Sequence, residues 1–594
     1  MKPPPPLLGD GRSLNGRVWR LRACDDRIAL AIAQRHDLPE LVARVVAARG
    51  VGVEEAERFL YPSLQNDLPD PSCLADMDRA AERLAAAVIG AEKIAVFGDY
   101  DVDGATSTAL IRRFLGAIGA PLVFYIPDRI AEGYGPNTAA LQRLAAQGVR
   151  VLITVDCGTM AHAALAAGRE AGMDIIVADH HQPEAHLPEA FAIINPNRLD
   201  DPSGHGQLAA VGVVFLLLVA LNRCLRKAGW YADSKRREPN LLQWLDLVAL
   251  GTICDVAPLT GVNRVLVRQG LRVMARLGNP GLRALADIAS INGAPGAYHA
   301  GFVLGPRINA GGRVGRPDLG ARLLSSNNAA EIEDIAHELE KFNRERQAIE
   351  ALVLEAALAQ AERRNPNEPL IFVAGRGWHP GVIGIAASRL KERFNLPAIV
   401  IGVDDDGIGK GSGRSINGVD LGSAVIAAGQ GGLLVNGGGH RLAAGLTVEA
   451  AKLEELRAFL MLRLAGQVDR VAGAEDLLID GQLAAGSATV ELIESLERAG
   501  PYGAGNPEPR FMLPSASVVN AGLAGGRHVR CVLATGDGGR VNGIAFGCAE
   551  TPMGKALLAG AKGGPLHVAG KLRADNWRGA PRPQLQIEDV APAV

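Results

Sequence analysis

At 594 residues the chain is too long for one core, and length alone points to roughly three to five domains. A composition of 48% hydrophobic and 21% charged residues excludes a disordered chain, and with no uncharged apolar run as long as ~18 residues no membrane span is expected. Seven scattered cysteines without a CxxC pair exclude a disulfide framework or zinc ribbon, and a net charge of −2 makes no overall case for a polyanionic partner. The opening KPPPP has no apolar signal core, so a cytoplasmic protein is expected.

Residues 1–85 read as a helical segment: LPELVARVVAARGV (38–51) and VEEAERFLYPSL (53–64) carry apolar residues at helical spacing, and no chemistry is visible there. The apolar run Ile94 to Phe97 then reads as a buried strand ending in three alternating carboxylates, Asp99, Asp101 and Asp103, before Gly104 opens a new segment. Three like charges this close need a cation. Residues two apart in an extended or turning backbone can point to one side, so Asp101 and Asp103 can converge on a hard divalent metal. By itself the pattern fits a solvated acidic loop equally, and later segments decide between the two readings.

Helices are expected over 105–115, 137–147 and 161–171, with strands at LVFYI (122–126), VLITV (151–155) and IIVA (175–178). The last two strands run into Asp156 and into Asp179-His180-His181. Strands alternating with short helices imply right-handed βαβ units and a parallel sheet, and ligands of such sheets sit beyond the carboxyl ends of the strands, where Asp101, Asp103, Asp156 and His180 arrive.

Core helices are expected over 208–225 and within 241–259, the second delivering Asp255. A lone Asp after an apolar stretch is more often a cap, and Asp255 is retained because a metal site of this size needs further ligands. Arg264, Arg268, Arg272 and Arg276 recur every four residues, which makes either a solvated helix face or a phosphate-tracking one. GPRINAGGRVGRP (305–317) reads as a Gly-rich loop whose Arg307, Arg313 and Arg316 flank backbone that a ligand can approach. Residues 321–365 contain neither Gly nor Pro, so a connecting helix of about 35 residues, on the order of 50 Å, is expected.

A second strand, helix, strand alternation follows: PLIFVA (369–374), HPGVIGIAASRLKERF (379–394) and PAIVIGV (397–403). GKGSGRS (409–415) fails as a phosphate loop, because Asp404 and Gly411 stand where a Gly and a Ser or Thr are required. Ser412, Arg414 and the GGGH turn (437–440) form either an anion cradle or simple tight turns. Beyond Ala472 short β-prone runs split by Gly-rich turns suggest a small barrel, in which Phe511, Phe546 and Trp577 either stack bases or fill the core. From Arg510 to Arg582 ten Lys/Arg face three Asp/Glu, a local balance of +7 that points to nucleic acid.

The ordered set GDYDVDG (98–104), VDCG (155–158), ADHH (178–181) and GTICDV (251–256) resembles the four motifs of the DHH phosphoesterase superfamily. GPRINAGGR, HPGVIG, KGSGRS and GGGH resemble the associated DHHA1 domain, and the whole arrangement is similar to the RecJ-type single-strand-specific exonucleases. The resemblance implies an α/β protein with a parallel-sheet DHH catalytic domain over 86–325, a connecting helix over 326–365, a second α/β domain (DHHA1) over 366–472 and a C-terminal β-barrel (OB-fold) over 473–594. No extra carboxy-terminal domain such as some relatives carry is visible.

It further implies a 5′→3′ exonuclease that cuts single-stranded DNA to mononucleotides in recombination and repair, using two Mn²⁺ or Mg²⁺ ions, with a single-strand-binding protein and a RecQ-type helicase as partners. Carried onto this sequence, Asp101, Asp103, Asp156, His180 and Asp255 hold the metals, Asp156 as the bridge, while Asp99 ligates or supports them. His181 contacts the scissile phosphate or assists proton transfer. Ser412, Arg414 and His440, with Arg307 and Arg313 between the domains, hold the nucleotide. Neutral imidazole favours manganese over magnesium. Two rival readings stand beside this one: a DHH-type oligoribonuclease or small-nucleotide phosphodiesterase, which needs no basic β-rich tail, and a non-catalytic replication scaffold, which needs no complete set of motif carboxylates.

Overall fold

Strands buried along their whole length, such as Ile94–Gly98 and Val151–Val155, build the centre of the first sheet. The computed structural model describes residues 5–9, 11–129, 131–233, 236–471, 476–575 and 579–593. The sheet is parallel throughout, in the order Leu122–Tyr125, Ile94–Gly98, Val151–Val155, Asp174–Ala178, Ala192–Ile194. From Ile94–Gly98 the chain crosses first to one side and then to the other, so the strand order reverses between Ile94–Gly98 and Val151–Val155. A crevice opens there beyond their carboxyl ends.

The strand ends at Gly98, and Asp101 and Asp103 lie on the helix that follows it. Asp101 is the N-cap of Val102–Ala117, its Oδ1 accepting from the amides of Asp103 at 3.0 Å and Gly104 at 3.1 Å. The expectation that Asp101 and Asp103 converge from an extended or turning backbone is therefore corrected: one caps the helix, the other lies in its first turn, and they fall in different groups of donor atoms. Gly104 is required at this turn because a Cβ would sit 2.4 Å from the Asp99 carbonyl oxygen.

GPRINAGGRV is not a loop but the helix Gly305–Val314, and Gly312 lets it approach so closely that a Cβ would lie 1.9 Å from the Tyr100 ring. The arginine stripe is neither solvated nor phosphate-tracking at its start. Arg264 is buried, stacks 3.7 Å over the Phe59 ring and donates to the Phe59 carbonyl, while Arg268 donates to the Arg498 carbonyl at 2.8 Å. These side chains staple the catalytic domain to segments at both ends of the chain.

The connecting helix, Ala329–Glu362, is 34 residues long. Ile332, Ile335, Ala336 and Leu339 sink into the catalytic core, whereas Val353, Ala357 and Ala361 belong to the core of the next domain. A rod embedded at both ends sets the spacing of the two domains. The second sheet runs Asn436–His440, Ala443–Glu449, Ile408–Arg414, Ala398–Val403, Ile371–Arg376. The GGGH segment is thus an edge strand, not a turn.

Five C-terminal strands close into a barrel, Phe511–Ala524 pairing with His528–Ala534 on one side and Leu566–Asp575 on the other. Phe511 is core, Phe546 is exposed, and Trp577 lies outside the described residues. The +7 balance is smaller than its window implies. Glu508 pairs with Arg573 and Lys571, and Glu588 with Arg510 and Lys571, so two acids flanking the window contact three of the ten cations and offset two of their charges.

Residues 1–85 are not a separate unit either. Val18–Leu21 forms a strand parallel to Asp476–Ile479, the buried Trp19 Nε1 donates to Asp589 at 3.0 Å, and Ile32, Val42, Val46 and Leu60 share the barrel's core. Met77–Ile89 packs instead in the catalytic core. Among the described residues no helix is long and apolar enough to cross a membrane.

Candidate metal centre and anion cradle

Four segments deliver their polar groups to the crevice. Asp99 follows the first strand, Asp156 follows Val151–Val155 with φ +60°, His180 follows Asp174–Ala178, and Asp255 caps the carboxyl end of the helix Leu245–Cys254. Asp103 reaches the same place from the first helical turn, where its carboxylate also accepts from the amides of Ala210 at 2.7 Å and Val211 at 2.9 Å.

Three sets of donor atoms lie within 4.8 Å of one another: Asp99, Asp101 and Asp156; Asp156, His180 and His181; Asp103, His180 and Asp255. Asp101 and Asp103 fall in different sets, while Asp156 and His180 each belong to two. His180 Nε2 stands 3.3 Å from Asp156 Oδ1 and 3.9 Å from Asp103 Oδ2, with Nδ1 3.7 Å from Asp255 Oδ2.

Negative charge in this crevice is only partly compensated, by Arg129 and the two histidines. Burial, then the neighbouring Asp101 carboxylate, pushes Asp99 up to about 7; burial and Asp255 push Asp103 up to about 7; burial and Asp101 push Asp255 up to about 7. Asp156, fully enclosed and facing four other carboxylates, is held well above the usual carboxylate range. His180 Nε2 is buried without a hydrogen-bond partner. An orphaned imidazole nitrogen among repelling carboxylates fits divalent cations that take oxygen and imidazole donors.

One residue of the DHH triplet was not singled out from the sequence. Asp179 is buried and accepts from the amides of His180 at 2.8 Å, His181 at 3.2 Å and Thr159 at 3.1 Å, and it lies 2.8 Å from His181 Nδ1. Although burial works against it, these bonds hold Asp179 well below the usual carboxylate range. Burial likewise opposes the charge on His181, but the Asp179 bond prevails and raises it to about 9. The signal was present, since an Asp immediately before two histidines is placed to orient one of them.

Across the crevice lies a cavity of about 410 Å³ whose lining includes Tyr100, Arg129, Arg313, Ser412 and Arg414. Arg414 Nη1 donates to Ser412 Oγ at 3.0 Å, Arg313 Nη1 to the Gly381 carbonyl at 2.9 Å, and Arg129 Nη1 to the Tyr100 hydroxyl at 2.8 Å. None of the three arginines forms a salt bridge among the described residues. Burial, then Arg313 and Arg129, draws Arg414 below its usual value, and no Asp or Glu is among the residues lining the cavity. Arg129 and Tyr100 went unnoticed in the sequence because only the fold brings residues near 100, 129, 313 and 414 together.

Two expected cradle residues are elsewhere. Arg307 is tied to Glu340 at 2.8 Å and to the Val303 carbonyl, and exposed His440 ends the edge strand outside the cavity lining.

Residues 93–252 match the DHH family N-terminal domain, 367–465 the DHHA1 domain and 479–589 the RecJ OB domain. The chain is 38% identical to the single-stranded-DNA-specific exonuclease RecJ of Dickeya dadantii over 93% of its own length and 96% of that protein. It is 36% identical to the Escherichia coli protein of the same name over 94% and 96%. The crystal structure of RecJ from Thermus thermophilus in complex with Mn²⁺ superimposes with a TM-score of 0.80 at 30% identity, covering 96% of this chain and 79% of that one. With the domain order, the acidic centre and near-complete coverage in agreement, the chain belongs to the RecJ family of single-stranded-DNA-specific exonucleases.

Proposed function

We propose that this chain hydrolyses single-stranded DNA from its 5′ end, releasing 5′-mononucleotides. The observation that carries the reading is the pairing of a carboxylate-rich metal centre with an acid-free arginine cradle across one crevice, joined at Tyr100, which follows Asp99 and lines the cradle. A terminal phosphate seated on Arg129, Arg313, Ser412 and Arg414 leaves the next phosphodiester over the acidic cluster.

Asp99, Asp101, Asp103, Asp156, His180 and Asp255 would hold two divalent cations, Mn²⁺ or Mg²⁺, which when bound polarise the phosphate and supply hydroxide at neutral pH. The protein's own groups do the rest. Asp156 is common to two of the three donor sets, and His181, with Nδ1 committed to Asp179, keeps Nε2 to bear a proton towards the phosphate. The guanidiniums fix the terminal nucleotide in register for the cut. On this reading the crevice admits one strand and not a duplex, which is about 20 Å wide, roughly twice its own major groove. The closed barrel supports this reading over a small-nucleotide phosphodiesterase, and the complete carboxylate set supports it over a scaffold.

The deciding substrates are end-labelled strands blocked at one terminus, a single-stranded circle and a blunt duplex. Labelled mononucleotide released from a free 5′ end is expected; cutting of the circle, or degradation starting at a free 3′ end, would overturn the assignment or its direction. On the family resemblance we also propose action in the cytoplasm in recombination and repair, alongside a single-strand-binding protein and a RecQ-type helicase.

A further inference from the structure

Three cross-strand rows of the second domain's sheet floor the cradle. Strand alternation puts Lys410, Ser412 and Arg414 of Ile408–Arg414 on one face. The register aligns Arg414 with Ala443 and His440, Ser412 with Gly445 and Gly438, and Lys410 with Thr447 and Asn436. The first two rows meet a terminal phosphate through Arg414 and Ser412. The third also lines the cavity, and no step of the exonuclease reaction uses it.

That third row is polar and open. Lys410 and Asn436 are exposed, and among the described residues Lys410 forms no salt bridge and none of the three side chains a hydrogen bond. Between this row and Arg414 the floor is bare: a Cβ added to Gly438 or Gly445 would meet nothing within 4 Å. Glycine inside a strand weakens the sheet and marks places where a ligand comes close to the backbone. With Lys410 included, four cations line the cavity, Arg129, Arg313, Lys410 and Arg414, and no acid does. A terminal phosphate brings only about −2 to meet them. Nor does it fill the space of about 410 Å³, since at no more than a water's ~30 Å³ per heavy atom a phosphate takes at most about 150 Å³.

We propose that Lys410, Thr447 and Asn436 form a subsite for the outer phosphates of a 5′-diphosphate or 5′-triphosphate, so that the chain also degrades single strands carrying such an end. The proposal rests on the 5′-exonuclease reading and deepens it by naming a further class of terminus. Lys410 stands two residues before Ser412, roughly 7 Å along the strand. A run of phosphates that begins at Ser412 and Arg414 therefore passes over the bare glycines and ends at the ammonium, where charge-assisted contacts are strong. The bond cleaved is the same as for a monophosphorylated end. Water adds to the phosphorus of the first internal phosphodiester, the bond from that phosphorus to the 3′ oxygen of the terminal nucleoside breaks, and the 3′ oxygen takes the proton. The first product is then an intact nucleoside 5′-triphosphate, and the shortened strand keeps a 5′-monophosphate.

The test compares Lys410→Gln and Lys410→Arg with the unaltered protein on one labelled single strand bearing either a 5′-monophosphate or a 5′-triphosphate. The unaltered protein should release nucleoside triphosphate from the second strand at a KM within about threefold of that for the first. Lys410→Gln should raise KM for the triphosphorylated strand about tenfold and leave the monophosphorylated one within about twofold, while Lys410→Arg restores the former. Equal effects on the two strands, no effect on either, or refusal of the triphosphorylated strand by a protein that degrades the other would overturn the subsite. Calorimetry on the metal-free protein in EDTA separates this from the exonuclease reading. Inorganic tripolyphosphate should bind at least about tenfold tighter than inorganic phosphate, a margin lost in Lys410→Gln; the absence of that margin in the unaltered protein overturns the subsite. Failure to degrade either strand, with the margin present, would defeat the exonuclease reading alone. Lys410 is exposed, so its variants should melt with the parent; if Lys410→Gln does not, Thr447→Val takes its place under the same criteria.

Discussion

Asp156 combines three properties that seldom coincide: full burial, a left-handed backbone and membership of two donor sets. Asp156→Ala should lower kcat by at least ~10³, more than ~4 kcal/mol of transition-state stabilisation, while single-strand affinity stays within a few fold. Retention of over about a tenth of kcat, a loss under ~1.4 kcal/mol, would refute a shared ligand. Asp179 acts differently, through His181. Asp179→Asn removes the charge that holds the imidazole up at about 9, so His181 should titrate nearer the ordinary ~6.5. The expected signature is a ~10–100-fold fall in kcat together with a lowered alkaline limb of the pH profile, at unchanged Mn²⁺ affinity. A flat profile shift with weakened metal binding would make Asp179 a support of the metal site instead.

At the scale of elements, the turn from Asp99 to Gly104 stores electrostatic repulsion that a cation relieves. Asp99, Asp103 and Asp255, with native values of about 7, bind protons in the folded state that the unfolded chain, near 4, does not. Folding stability of the metal-free protein should therefore fall as pH rises from about 4 to about 7. His181, raised to about 9, extends the decline from about 6.5 to about 9. Asp179, being depressed, contributes the opposite sign, but only where pH falls below about 4. A metal-free Tm that is higher at pH 6 than at pH 8.5, with Mn²⁺ raising Tm more at pH 8.5, is the expected result of calorimetry; a metal-free Tm that climbs with pH would contradict it. The seam between helix and cradle is equally specific. Gly312→Val should drive the Tyr100 ring aside, carrying Arg129 with it, and raise KM for 5′-phosphorylated strands about tenfold or more with metal affinity retained.

At the scale of the molecule, both chain ends fold together. Residues up to Leu60 and the barrel share one core, so truncation after Val471 leaves Ile32, Val42, Val46 and Leu60 without partners. That truncated protein should aggregate or unfold non-cooperatively, whereas removal of 1–60 together with 473–594 should stay soluble; chromatography and thermal melts distinguish them. Barrel electrostatics are better probed by substitution. Arg527, Arg530 and Arg540 are exposed and form no salt bridge among the described residues, so replacing all three with Gln should flatten the slope of log affinity against log salt by about 2. An unchanged slope would place the strand on another face.

Much of this protein is written locally in its sequence. Buried strands show as unbroken apolar runs, the absence of Gly and Pro over 321–365 specifies the connecting helix, and Asp99 and Asp156 stand directly after apolar strands because parallel sheets present their chemistry at strand ends. Position relative to distant chain is not so written. Glycines at 305, 311 and 312 read as loop, yet they form a helix because tertiary packing on Cys254, Leu339 and Tyr100 respectively outweighs their low helix propensity. Arginines at 264 and 268 read as surface charge and serve as staples, because their carbonyl acceptors come from chain more than two hundred residues away. Tertiary structure alone decided which arginines meet in the cradle and which acids cancel the barrel's charge, since both depend on through-space proximity that no local pattern encodes.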